Sequence, residues 1–453
     1  MDTGIIVLLV IVLLVVQLAF RMPVWIALAS SGLIGILLLR DPKFVTSTLA
    51  SAPFEQTSTF TLTIIPMFIL MGIFAVKARI AGQVFEIARR VFLRLPGGLG
   101  ISTVAACAGF AAVSGSSIGT AATMSRLSIG EMRKAGYPPS LAGALVAMAG
   151  TLGAMIPPSV FLVLYAILSG ESIGQMLAAG IVPGVLSAVA YMTYILIRTR
   201  KMTMAPAGAR GLSAELEAAA RPAGGPAPIA WRDLPYRGLV RLIILFIIIM
   251  GGIYSGLFTP TESAAIGALF AAFMLIFEFR KDGIRTMARQ FIDALKETAQ
   301  TTSMVFAIIV GSAVLSLFFI VARVPQTLAE ALTGTDLPGW IVLAGLLALL
   351  IPMGMALESI SILVITVPLI YPIAMDFGFD GVWLGILIVK LIEIGMVTPP
   401  VGINVFVVAG TSGLRSSDVF RGVWPFVLIE IVMIVVLFAV PDIVLWLPSL
   451  AVE

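Results

Sequence analysis

Residues 381–412 form an apolar stretch long enough to cross a bilayer, but its middle, Gly395–Asn404, reads G-M-V-T-P-P-V-G-I-N. Two adjacent prolines remove two backbone donors and clash with the preceding turn, so no continuous helix passes through them. Gly395 and Gly402 add backbone freedom and remove side-chain bulk on either side. The carbonyl and N–H groups freed there lie near mid-membrane, where lipid offers no partner, so the break must face protein or a wet cavity. The same device occurs at Gly153–Pro158, which reads G-A-M-I-P-P. Interrupted helices in corresponding places of two halves point to the binding site of a membrane carrier.

The rest of the chain agrees with that setting. Hydrophobic residues make up 60% and charged residues 11%, and apolar runs of 16–25 residues recur from end to end, as in a polytopic helical membrane protein. A single cysteine, Cys107, excludes an internal disulfide, and the lack of histidine excludes imidazole metal ligands and histidine bases. Gly115–Gly119 fits the G-x-S-x-G nucleophile pattern. That motif belongs on a strand-to-helix turn with a histidine partner, so no enzyme is expected. No phosphate-binding glycine loop with a lysine is present, which argues against an ATP-driven pump. The first apolar run, Gly4–Phe20, lacks a basic leader and a cleavage site, and is read as a first membrane helix.

Spanning segments are expected at about 4–20, 22–39, 60–77, 139–168, 176–197, 238–257, 262–279, 299–321, 381–412 and 421–447. Residues 98–135 and 339–375 each hold two apolar pieces of about 15 residues, too short to span, and read as re-entrant hairpins. Their tips are Ser114-Gly115-Ser116-Ser117 and Gly354–Ser359. Residues 78–94 and 281–298 mix basic and apolar positions at helical spacing and read as helices on the membrane surface or between moving parts. The Ala/Pro/Gly-rich segment 199–237 is expected to be an exposed, mostly irregular cytoplasmic linker. Alternating the loops across the membrane puts 24 of the 28 Lys and Arg on one side and three on the other, with Lys390 inside a span. The positive-inside rule then places both termini outside the cytoplasm.

A shift of 242 aligns the two halves. Pro96-Gly97 falls on Pro338-Gly339, Gly153 on Gly395, Pro157-Pro158 on Pro399-Pro400, and Ser116 on Glu358. The expected fold is therefore all-α, with repeats at 1–198 and 238–453, each holding five spans, one hairpin and one broken Pro-Pro helix. Five is odd, so the second repeat is inverted, which implies a mid-membrane site and alternating access.

Each hairpin tip should face the break of its own half. The first pairing brings Ser114, Gly115, Ser116 and Ser117 toward Gly150, Gly153 and Pro157. The second brings Gly354, Glu358 and Ser359 toward Gly395, Thr398, Pro399 and Asn404. Freed carbonyls, hydroxyls and a carboxylate suit a hard cation such as Na⁺, while half-helix N-termini suit an anion. Glu358 is the most telling of these residues, because a membrane-depth carboxylate is costly, and it serves either a cation or a proton. Lys390 and Glu393 lie three apart, so they either satisfy each other or leave Lys390 to attract a carboxylate substrate.

The pattern F-A-A-V-S-G-S-S at 110–117, G-T-L-G-A-M-I-P-P-S at 150–159, A-A-G-I-V-P-G at 178–184, G-M-A-L-E-S at 354–359 and I-G-M-V-T-P-P-V-G-I-N at 394–404 resembles the large membrane subunit, DctM, of tripartite ATP-independent periplasmic (TRAP) transporters. The resemblance implies an elevator-type, Na⁺-coupled carrier in the bacterial inner membrane, with Na⁺ as coupling ion and no organic cofactor. Its expected partners are a small four-helix membrane subunit, here a separate chain, and a periplasmic binding protein that delivers a C4-dicarboxylate, sialic acid or another organic acid. It further implies cation sites at Ser114, Gly115, Ser116, Gly150, Gly153, Gly354, Glu358, Gly395 and Thr398. Substrate would lie by Ser117, Pro157, Ser359, Pro399 and Asn404, and the charge of Lys390, rather than the resemblance, adds that residue to the substrate set. The family often has Asp where Glu358 stands and an uncharged residue where Lys390 stands. A self-sufficient divalent-anion/Na⁺ symporter of related architecture, a passive channel and a scaffold subunit are the alternatives.

Overall fold

The computed structural model describes residues 2–20, 22–92, 94–200, 234–333 and 337–450, and among these every regular element is helical. The expected linker at 199–237 lies almost wholly outside the described residues. In chain order the first half comprises α1 (Thr3–Ala19), α2 (Val24–Leu39), α3 (Pro42–Thr57), α4 (Ile64–Lys77), α5 (Ile80–Phe92), α6 (Gly98–Ser114), α7 (Ser117–Met124), α8 (Gly130–Lys134), α9 (Pro139–Met155), α10 (Val160–Ser169) and α11 (Ile173–Arg200). The second comprises α12 (Tyr236–Phe246, extended by a π turn to Tyr254), α13 (Pro260–Phe279), α14 (Ile284–Val321), α15 (Val324–Thr333), α16 (Gly339–Ala348), α17 (Leu350–Ala356), α18 (Ser359–Asp376), α19 (Gly381–Gly395), α20 (Ile403–Ser412), α21 (Ser416–Ala439) and α22 (Asp442–Leu450).

Among the described residues seven helices are long and apolar enough to cross a bilayer, and the bent pair α9–α10 makes an eighth. The expected spans at 4–20 and 22–39 are helices of 17 and 16 residues. These fall short of the roughly 20 residues that crossing the membrane upright requires. The expected span 421–447 stops at Ala439, because Pro441 cannot continue it, and α22 follows as a separate helix. Start signals are local. Asp380 caps α19 through the Trp383 N–H, and Thr259 and Glu262 form a reciprocal capping box ahead of α13, with Pro260 in its first turn.

The surface helix expected at 281–298 is corrected. It is continuous with the following span as the 38-residue α14. No proline interrupts 284–321, and its lone glycine, Gly311, lies well inside the helix. Polar residues such as Lys296, Glu297 and Thr298 do not stop a helix that is otherwise well formed. The second arm of the 339–375 hairpin is also longer than expected: α18 runs 18 residues and is itself apolar enough to cross.

Helix starts in the two halves lie within one residue of 242 positions apart: 98 and 339, 117 and 359, 139 and 381, 160 and 403, 173 and 416. Around this core lies a frame held by close helix approaches. Gly311 of α14 sits against the Trp25 carbonyl, and a Cβ there would come within 2.4 Å of it. Gly32 of α2 lies against the backbone of Leu315. Small residues allow such contacts where lipid supplies no hydrophobic drive. Gly311→Ala is therefore expected to lower stability by about 1–3 kcal/mol, as overpacking does. A thermal unfolding curve in detergent checks this, and an unchanged midpoint would contradict it.

Candidate binding site at two interrupted helices

The first interruption separates α9 from α10, which meet at 43°. The first tip closes onto it. Gly115 ends α6 in the left-handed region, φ 59°, a conformation that excludes most side chains. Its carbonyl accepts the Val160 N–H at 3.5 Å, across the break. Ser116 is extended and caps α7 by accepting the Gly119 N–H at 3.2 Å. The Ser116 carbonyl lies against Gly153, where a Cβ would come within 2.5 Å of it. Gly150 meets Ala121 of α7 in the same way, and the Ser114 and Thr120 hydroxyls are hydrogen-bonded at 2.7 Å. Pro157 is buried in the break, and Ser159 caps α10 while donating to the Ala154 carbonyl at 2.5 Å.

The second tip repeats this geometry with different atoms. Gly354 of α17 and Gly395 of α19 face each other so closely that a Cβ on Gly395 would come within 2.5 Å of the Gly354 Cα. Glu358 caps α18, accepting the Ile360 and Ser361 N–H groups at 3.2 and 3.4 Å. A carboxylate in that position is favoured by the helix dipole. Ser359 donates to the Met396 sulfur, Thr398 donates to the Ile394 carbonyl at 2.6 Å, and the Asn404 N–H reaches the Met396 carbonyl at 3.1 Å. Pro399 lies beside these groups, partly exposed at the rim of the break. Each tip thus packs on the break of its own half, as the sequence led us to expect.

Asn404 stands apart. It is fully buried, yet neither its Oδ1 nor its Nδ2 has a hydrogen-bond partner. A buried amide left unpaired costs about 1–3 kcal/mol for each group, so both atoms are free to meet a ligand or water. The two halves join at Glu393, also buried, whose Oε1 accepts the Ser117 hydroxyl at 3.4 Å. Its Oε2 has no partner, and Ser359 of the second tip lies near the same carboxylate. Among the described residues no three His, Cys, Asp or Glu cluster as a divalent-metal site would require. The oxygens that the tips and breaks present are carbonyls, hydroxyls and single carboxylates, the set a monovalent hard cation accepts.

Lys390 has a different partner from the one the spacing suggested. No ion pair joins it to Glu393. It is 5% exposed, pairs with Glu430 of α21 at 2.5 Å and donates to Ser187 of α11. Glu430 in turn accepts the Tyr191 hydroxyl at 2.6 Å. A cavity of about 10 Å³, room for one water, separates this pair from Glu393 and Thr151. Sequence reasoning passed over Glu430, Tyr191 and Ser187. A carboxylate inside the 24-residue apolar α21 was the available signal, since intramembrane charges demand a partner.

This all-helical arrangement of lipid-length helices around two broken ones defines a polytopic membrane protein of the carrier class. Residues 11–443 match the family model of the tripartite ATP-independent periplasmic transporter, DctM component. The C4-dicarboxylate TRAP transporter large permease protein of Pseudomonas aeruginosa is 35% identical over 425 residues, covering 93% of this chain and 94% of that one. The sialic acid TRAP transporter large permease protein of Vibrio cholerae is 34% identical, covering 86% and 87%. Among solved structures, the YdaH transporter of Alcanivorax borkumensis shares the fold, with a TM-score of 0.65, 16% identity and coverage of 90% and 91%. The chain belongs to the DctM family and is a large permease subunit of a TRAP transporter.

The buried pair yields a stability test. Lys390→Met leaves the Glu430 charge uncompensated and should cost about 3–5 kcal/mol, whereas adding Glu430→Gln should recover most of the loss. Melting of the two variants in detergent decides the matter, and a single variant as stable as wild type would contradict the pairing.

Proposed function

We propose that this subunit couples the inward movement of Na⁺ to uptake of an organic acid at the two interrupted helices. The observation that carries the reading is the backbone-to-backbone seating of each hairpin tip on its own break, Ser116 on Gly153 and Gly354 on Gly395. It concentrates carbonyl and hydroxyl oxygens at two places in the core. In this reading Ser114, Gly115, Ser116, Gly150 and Gly153 hold one cation, and Gly354, Glu358, Gly395 and Thr398 hold another. Substrate lies between the tips, where Ser117, Ser359 and the unpaired Asn404 amide offer hydrogen bonds beside Pro157 and Pro399. Lys390, tied to Glu430, serves to fasten α19 to α21 and is released from the substrate role that its charge suggested.

The matched helix starts support two inverted repeats, and the α2–α14 frame supports a core of hairpins and broken helices that shifts against it as an elevator. The basic loops support placing both termini on the periplasmic side of a bacterial inner membrane. The family implies a small membrane subunit and a periplasmic binding protein as partners. The named substrates of the relatives, a C4-dicarboxylate and sialic acid, support a carboxylate. Na⁺ entry is an adequate drive, because each charge moving inward gains about 2.3 kcal/mol per 100 mV.

The test is uptake of C4-dicarboxylates and sialic acid into proteoliposomes holding both membrane subunits, with candidate binding proteins added. An imposed Na⁺ gradient should drive uptake only when a cognate binding protein is present. Ser116→Ala and Glu358→Ala should each lower it by about 10–100-fold, the size expected if roughly 1.4–2.7 kcal/mol of cation binding is lost. Uptake that ignores Na⁺, or that both variants leave intact, would overturn the reading. Uptake without any binding protein would favour a self-sufficient symporter.

A further inference from the structure

Away from the interrupted helices, a polar concavity lies where the start of α12 meets the end of α13. It has a volume of about 520 Å³ and is lined by Arg237, Arg241, Arg280 and Lys281 above Phe273 and Phe277. Its one carboxylate, Glu278, is already engaged, taking Arg241 at 2.6 Å and Gln83 at 3.4 Å. Among the described residues no carboxylate pairs with Arg237, Arg280 or Lys281. The Arg280 guanidinium lies 5.7 Å from the centre of the Phe277 ring. The mouth therefore carries three uncompensated positive charges. Two of its arginines, Arg237 and Arg241, stand in the first turns of α12, where the helix dipole disfavours cations. Helix stability does not explain them.

The apolar wall of the cavity belongs to α13, through Phe270, Phe273, Met274 and Phe277, and an exposed apolar face of α12 lies outside it. On α12, Val240, Ile244 and Ile247 share one face with Arg237, and all three are exposed. On α13, Phe273 and Phe277 are about half exposed beneath Arg280 and Lys281. Both helices are long and apolar enough to span the membrane, so this groove lies in contact with acyl chains while the cations sit at the height of the headgroups. A diffusible anion would use the mouth and ignore the groove. A protein partner would bury the aliphatic face but would not call for three unpaired cations at its edge.

We propose that the cavity at the α12–α13 mouth is a binding site for an anionic phospholipid, with its phosphate among Arg237, Arg280 and Lys281 and its acyl chains along Phe270, Phe273 and Phe277. Basic pockets between membrane helices recognise such headgroups by charge, at about 1 kcal/mol per cation. The site lies on the side of the chain that gathers most of the Lys and Arg, and it would fix the α12–α13 pair in the bilayer. It does not depend on the transport reading, because occupancy is measured without substrate or Na⁺.

The experiment is native mass spectrometry of the full chain in detergent, with phosphatidylglycerol, phosphatidylcholine or inorganic phosphate added. Wild type should retain phosphatidylglycerol in preference to phosphatidylcholine. Arg237→Gln with Lys281→Gln should lower that retention roughly thirtyfold, the equivalent of about 1 kcal/mol per cation removed. Arg285→Gln with Arg289→Gln, basic but outside the cavity, should leave it unchanged. Equal retention of the two lipids, or loss of equal size in both double variants, would overturn the site. Retention of free phosphate as firm as that of the lipid would overturn the lipid assignment. Displacement of phosphatidylglycerol whenever the small membrane subunit is co-purified would assign the surface to that protein instead.

Discussion

A helix broken in the middle of a bilayer leaves polar backbone with nothing to bond, and everything distinctive in this fold answers that problem. The cost of each unsatisfied group is several kcal/mol in hydrocarbon, so the break must be covered by protein or used for a polar ligand. Here it is covered by the tip of a second broken element, brought to backbone contact. The contact requires glycine: Gly153 beneath the Ser116 carbonyl, and Gly354 against Gly395. The same residues that permit the seating also expose the carbonyls that an ion would use. In the proposed reading, structural repair and binding chemistry are one feature seen twice.

The second physical theme is charge. Among the described residues Glu358, Lys390, Glu393 and Glu430 are ionisable side chains in the membrane-spanning core, and their charges are handled in three ways. Glu358 is held by the first N–H groups of α18, and Glu430 and Lys390 hold each other with help from Tyr191 and Ser187. Glu393 takes the Ser117 hydroxyl on one oxygen, has Ser359 nearby and has no hydrogen-bond partner on its other oxygen. It sits where both tips converge and, like Asn404, keeps a buried polar atom without a hydrogen-bond partner. Groups in that state are where a carrier has binding free energy to gain.

Much of this was legible in the chain because the relevant signals are local. Proline pairs, flanking glycines and short apolar pieces announce breaks and hairpins without reference to neighbours, and the 242-residue register tells which tip belongs to which break. What failed was of two kinds. The mix of basic and apolar positions at 281–298 reads as a separate surface helix, whereas the chain runs as one helix from Ile284 to Val321, because nothing in the change of polarity ends a helix. The partner of Lys390 was misjudged because sequence spacing shows pairs on one helix, and Glu430 comes from another, 40 positions away. Contacts between helices are set by packing geometry, which periodicity does not encode.

The central claim is that the meeting point of tips and breaks opens to water on alternate sides of the membrane. The chain's single cysteine, Cys107, is buried, so Cys107→Ser with Ser117→Cys places one reporter thiol at that point. Labelling by a membrane-impermeant thiol reagent from each side, with and without Na⁺, reads its access directly. The account predicts that the thiol is reached from both sides, with the balance between them shifted by Na⁺. A thiol reached from neither side under any condition, and labelled only by a lipid-soluble reagent, would contradict it.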